Sequence, residues 1–208
     1  MAALAAGVAS SMAQSNVYSL NVVGYVNTPF LDVGNYYLVS NPLDNTTNDL
    51  NTLLPGVPAG TQVGLWSVAL QDFTPVTPTF AAGNWSPDVT VNPGQGFFVI
   101  PNGAFTNTWV GTVRQYAFTN SLVGGGNYEC IGSIPPVGGS ITNVLAGYPA
   151  VNGDQIGVWD EPINDFNPVT PTYAAGHWSP DWNFNIADGF FIIRNGGPVT
   201  WVSQFTVP

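Results

Sequence analysis

The chain has 208 residues, 12 acidic side chains against two basic ones and a formal net charge of −10, yet only 7% of its residues are charged, where a soluble domain ordinarily carries about 25%. Hydrophobic residues at 45% and aromatic ones at 13% supply enough apolar surface to offset chain entropy, which excludes charge-driven disorder. The basic residues, Arg114 and Arg194, stand far apart, so nucleic acid is a poor partner and anionic membrane surfaces are disfavoured, since both call for clustered Lys or Arg.

Residues 1–13 read MAALAAGVASSMA, and the closing Ser11-Met12-Ala13 fits the small residues before a secretory cleavage site. No Lys or Arg precedes this run, so it reads as a signal-peptide remnant, the alternative being an Ala-rich tail. The run is far short of the roughly 20 residues that a bilayer span needs, and no later stretch reaches that length without Gly, Pro or Asn. An extracellular or cell-surface location follows from the leader reading. The next segment, Val17 to Val26, carries apolar side chains at both parities: Val17, Tyr18, Leu20, Val22, Val23, Tyr25 and Val26. In a strand that pattern predicts cover on both faces. A free apolar strand either completes its own sheet or adds to a neighbour's, and head-to-tail addition does not close, so it yields a filament.

Short apolar runs bounded by Gly, Pro and Asn follow at Tyr36–Ser40, Gln62–Val68, Gly96–Ile100 and Thr108–Val113. Their β-branched and aromatic content predicts strands. Apolar spacing of three to four predicts a helical turn over Asn48–Leu54 and another over Ile141–Leu145.

The sequence then repeats. Gln62–Ile100 aligns without a gap to Gln155–Ile193, with 22 of 39 positions identical. Outside that block, Gly34-Asn35-Tyr36 matches Gly126-Asn127-Tyr128, and Thr108-Trp109-Val110 matches Thr200-Trp201-Val202. The duplication divides the chain, after the leader at 1–13, into a first unit at 14–112 and a second at 113–208. Each is near the size at which a β-sandwich stands alone. The predicted fold is all-β, two tandem antiparallel β-sandwich-like domains, and the near absence of a linker predicts a stiff rod.

Asn21-Val22-Val23-Gly24-Tyr25-Val26-Asn27, then Gly34-Asn35-Tyr36, Asn41-Pro42-Leu43, Trp66 and Pro93-Gly94-Gln95-Gly96-Phe97-Phe98 follow one another in the first unit. This order resembles a group of secreted bacterial proteins frequent in Verrucomicrobia-like genomes. The second unit departs from it, with Ser133-Ile134-Pro135 and Ala187-Asp188-Gly189 at the corresponding places. The resemblance implies export and β structure, and supplies no catalytic residues.

Chemistry-bearing residues are few. His177, the single histidine, replaces Asn84 of the first repeat and reads as a polar loop residue; no Gly-x-Ser-x-Gly elbow accompanies it. Cys130 stands alone in a strand-like run and reads as a buried, inert thiol. Asp44 and Asp49, and Asp160 and Asp165, lie in loops that gather hard oxygen ligands of the kind calcium takes, without an EF-hand pattern; the competing reading is solvated loops. No other cofactor is expected. Trp85 and Trp178, with Asp88 and Asp181 nearby, are candidates for stacking on a polysaccharide. Large aromatics mostly serve packing, however, and an Asp after Trp-Ser-Pro commonly satisfies turn amides. The expected function is therefore an exported, non-enzymatic structural protein whose partner is itself, assembling into a filament or surface layer by N-terminal strand exchange. The alternative is a secreted carbohydrate-binding module.

Overall fold

The computed structural model describes residues 22–206. The leader run and Val17, Tyr18 and Leu20 lie outside the described residues. The fold is nearly all β, with 45% strand and 4% helix, in two similar strand-rich units. Each unit is built on a five-stranded antiparallel sheet. In the first, the strand order is Tyr37–Ser40, Gly96–Ile100, Gln62–Gly64, Thr79–Ala81, Asn84–Ser86. In the second it is Tyr128–Gly132, Gly189–Ile193, Gln155–Gly157, Thr172–Ala174, His177–Ser179.

A long two-stranded ribbon accompanies each sheet: Val23–Phe30 pairs with Phe105–Thr112, and Tyr116–Leu122 with Val199–Phe205. Phe105–Thr112 alternates buried and exposed residues, the signature of a strand with one face on a core. The inward face brings Trp109 against Phe97, with centroids 6.2 Å apart, inside a core that also holds Phe30, Leu50 and Leu54. Helical turns form where the spacing of three to four predicts them, at Leu50–Leu53 and Ile141–Val144. Asp49 caps the first through the Thr52 amide and Ser140 caps the second through the Asn143 amide.

The central strands are buried on both faces, as their unbroken apolar sequences require. Tyr37, Val39, Phe97 and Val99 enter the first unit's own core. Leu38 and Phe98, pointing the other way, meet Cys130 and Phe191 of the second unit in a separate apolar cluster. The units therefore lock face to face through a shared core. The seam is pseudo-two-fold: Ser40 N–H donates to Ala187 O (2.8 Å), and the matching Gly132 N–H donates to Gly94 O (2.9 Å). A contact in which residue i meets j and j's counterpart meets i's is the geometry of a symmetric dimer, here within one chain. It explains one glycine in each Gly-Phe-Phe repeat. A Cβ on Gly96 would stand 2.6 Å from Cys130 Sγ, and one on Gly189 would stand 2.6 Å from the Val39 carbonyl oxygen.

Candidate functional site

Three groups of side chains carry the functional expectations: the N-terminal strand, the repeated Trp-Ser-Pro-Asp segments and the acidic loops. In the first, Val23–Phe30 completes its own unit's ribbon, in register from Val23 opposite Thr112 to Phe30 opposite Phe105. Both-face cover is not what the strand shows. Val22 and Val26 pack against the core, whereas Val23 is 53% and Tyr25 73% exposed. One face of the ribbon lies on the core, and the other, with Val23, Tyr25 and Val110, is exposed.

The backbone of this strand has a definite polarity. Val113 N–H donates to Val22 O (2.7 Å), so by the alternation of an antiparallel ladder Gly24, Val26 and Thr28 turn their amides toward the partner strand. Val23, Tyr25 and Asn27 then turn theirs to the outer edge. Pro29 has the same parity, and a proline is tolerated there because it has no N–H to lose from the ladder. On the opposite edge Thr112 exchanges two backbone bonds with Asp44, 2.8 and 2.9 Å. Among the described residues no third strand joins either ribbon.

The Trp-Ser-Pro-Asp segments are structural. Trp85 is 3% and Trp178 7% exposed, each packed edge-on against the aromatic residue of the preceding strand, Phe80 and Tyr173. Trp85 Nε1–H also donates to Leu54 O (2.9 Å). Neither indole face is open to stack on a sugar ring, because each plugs its unit's core. Asp88 accepts from the Asn51 amide and side chain (3.2 and 2.7 Å), and Asp181 accepts from the Ile141 amide (3.2 Å). Both carboxylates thus fasten the helical turn of their unit. His177 sits exposed at a hairpin tip with Nδ1 3.4 Å from Ala175 O.

The calcium candidates hold other partners. Asp44 accepts from Arg114 Nε and Asn48 Nδ2, both at 2.8 Å, and Asp49 accepts from the Thr52 amide. Against the penalty of partial burial, the Asn48 bond and the Arg114 charge hold the Asp44 carboxyl below the usual range; the Thr47 and Thr52 bonds lower that of Asp49. Asp160 accepts from Asn167 (3.2 Å) and Asp165 from the Phe166 amide (2.7 Å). Among the described residues no three His, Cys, Asp or Glu side chains are grouped to hold a metal ion.

Two arrangements were not visible in the sequence. The first is a cleft of about 300 Å³ beside the seam, where Trp159, Glu161, Trp182 and Asp188 come together. Burial, then the charges of Asp188, Asp32 and Asp160, push the Glu161 carboxyl above its ordinary range; burial raises that of Asp188. The second is the aromatic seam itself. Trp66 Nε1–H donates to Tyr128 O (2.7 Å), and its counterpart Trp159 Nε1–H donates to Tyr36 O (2.5 Å). The repeated Trp was legible as a strand residue, but a local pattern carries no sign of which face meets the other repeat. Cys130 is buried in this seam, and burial pushes its thiol far up, consistent with an inert sulfur.

No family model, no curated protein and no solved structure matches the chain.

Proposed function

We propose that this chain is an exported, non-enzymatic structural protein that assembles with copies of itself into a filament or surface layer at the cell exterior. The observation that carries the reading is the outward edge of Val23–Phe30, where Val23, Tyr25 and Asn27 direct backbone N–H and C=O groups away from the partner strand. Beside it the exposed side chains of Tyr25 and Val110, opposite one another in register, add apolar surface. The second ribbon supplies a second edge within the same chain. Two edges per molecule are what a linear polymer requires, since joining the first edge of one copy to the second edge of the next leaves both ends open. Export rests on the leader run before Gln14.

The test is electron microscopy of the native protein beside Tyr25→Pro. Proline at an outward-facing position removes one edge N–H and leaves the ladder to Phe105–Thr112 intact, as Pro29 already does four residues further on. The expected outcome is regular filaments or sheets for the native chain and isolated particles for the folded variant. Isolated native particles at every concentration, or undiminished assembly by Tyr25→Pro, would overturn the proposal.

A further inference from the structure

Among the positions at which the two repeats differ across their seam, one pair bears directly on a cavity. Gln71 and Asn164 are counterparts, both at the same left-handed backbone angle, φ 52°. Gln71 spans to the other repeat with both ends of its amide: Oε1 accepts from Tyr128 N–H (2.8 Å), and Nε2 donates to Tyr128 O (3.3 Å). Asn164, one methylene shorter, reaches Tyr36 N–H with Oδ1 (2.7 Å). A cavity of about 250 Å³ lies on the Asn164 side, lined by Asn164 and Tyr36 but by neither Gln71 nor Tyr128.

The lining defines the ligand chemistry. Apart from Asn164 it is aromatic: Trp66, Phe73 and Phe98 from the first repeat face Trp159 and Phe166 from the second. The rings meet edge to face, Phe98 with Trp159 at 4.9 Å and 79°, Trp159 with Phe166 at 5.2 Å and 84°, leaving faces and edges that suit another planar ring. No charged side chain lines the space, and both indole N–H groups are already committed to backbone carbonyls. A charged guest would lose its hydration without a partner. An apolar cavity of about 150 Å³ suffices for benzene, so this one has room for one or two fused rings. Phe73 and Phe166 are partly exposed and form its mouth.

We propose that the seam cavity is a binding site for an uncharged planar aromatic molecule of one or two fused rings, and that the shortening from Gln71 to Asn164 creates it. The proposal stands apart from assembly at the ribbon edges. It is tested with 2-naphthol as probe and the seven indole N–H signals of the full chain as readout. Saturable shifts are expected at Trp66 and Trp159, with the other five indoles as internal controls. Asn164→Gln copies the first repeat and fills the space, and is expected to weaken binding by about 10-fold or more, equivalent to about 1.4 kcal/mol. Absent shifts at Trp66 and Trp159, equal shifts across all seven indoles, or unchanged affinity in folded Asn164→Gln would each overturn it. Should that variant lose its dispersed indole signals, Phe166→Leu, which alters the mouth, is judged by the same affinity criterion.

Discussion

Arg194→Met should be among the most damaging single substitutions in the second unit. Asp154 is fully buried, and Arg194, itself 8% exposed, sets Nη1 3.4 Å from its carboxylate. The guanidinium also donates to Pro149 O (2.9 Å), Gly197 O (2.9 Å) and Tyr148 Oη (3.0 Å). Methionine keeps most of the packed volume but leaves the carboxylate without its cation and those oxygens without a donor. Removing one partner of a buried pair costs about 3–5 kcal/mol. Asp154 retains bonds from Tyr148 Oη–H (2.7 Å), Val151 N–H (3.0 Å) and Asn195 N–H (2.8 Å), which argues for the lower end. With a urea m-value of about 3 kcal/mol/M, a loss of about 3 kcal/mol moves the unfolding midpoint down by about 1 M. The first repeat supplies the control. There Thr61 Oγ1 accepts from Asn102 N–H (3.3 Å) at the place of Asp154, and Pro101 stands where Arg194 does. The double variant Asp154→Thr/Arg194→Met should therefore recover most of the loss, because the hydroxyl performs the backbone task with no charge to neutralise. A midpoint for Arg194→Met within about 0.3 M of the parent, or no recovery in the double variant, would refute this account of the network.

Glu161→Gln removes one of the like charges that gather at the seam cleft. Because burial and then the neighbouring carboxylates raise the Glu161 value, and burial raises that of Asp188, their charged forms disfavour folding above their unfolded values, and this cost is relieved as pH falls through the raised folded values. Glu161→Gln should accordingly raise Tm near pH 7 by about 1–2 °C, a modest gain because the side chain, although partly enclosed by the cleft, keeps contact with solvent, and should have no effect below pH 4. Asp44 acts in the opposite sense: its lowered value gives stability that is present above its unfolded value and lost as pH falls through the folded one, so Asp44→Asn should lower Tm at pH 7 and be neutral in strong acid. Phe98→Ala and Phe191→Ala should each cost about 3–5 kcal/mol in urea unfolding; their rings lie 6.3 Å apart in one cluster, so the double variant should fall short of the sum. Cys130, enclosed by the same cluster, should resist an aromatic disulfide reagent in the native chain and react on unfolding, with both Phe variants accelerating the reaction.

The strands were legible wherever local pattern and burial agree. Phe105–Thr112 alternates because one face lies on a core, and Gly96–Ile100 runs apolar because both do. The helical turns were legible for a similar reason, their apolar spacing matching the face that enters the core at Leu50, Leu53, Ile141 and Val144. The N-terminal strand misled because Val23 and Tyr25 are apolar and nevertheless exposed; sequence parity cannot register that only one face of the ribbon meets the core. Trp85 and Trp178 were candidates for sugar stacking although packing is the commoner role of a large aromatic, and their burial against Phe80 and Tyr173 assigns them to the core. The seam was invisible in principle. Duplication shows which residues correspond, whereas pairing Trp66 with Tyr128 and Trp159 with Tyr36 is a property of how the copies dock.

That docking frees the two halves of the seam to diverge. In a symmetric dimer of identical chains, a change that opens space on one side of the axis opens it on the other, and a change that buries a charge buries it twice. Within one chain the constraint disappears, and the second repeat departs from the first at, among others, four places: Asn164 for Gln71, Asp154 and Arg194 for Thr61 and Pro101, Asp188 for Gln95. The first repeat carries an uncharged residue at each of these places. Asp188 lies in the seam cleft and Asn164 lines the seam cavity, so two of the four departures modify the surface between the repeats. The buried Asp154–Arg194 pair lies within the second unit and ties Tyr148 to the segment around Asn195. The first repeat is then the reference against which each of these features is tested by a single reciprocal substitution, since its own residues show what the fold accepts at the same position.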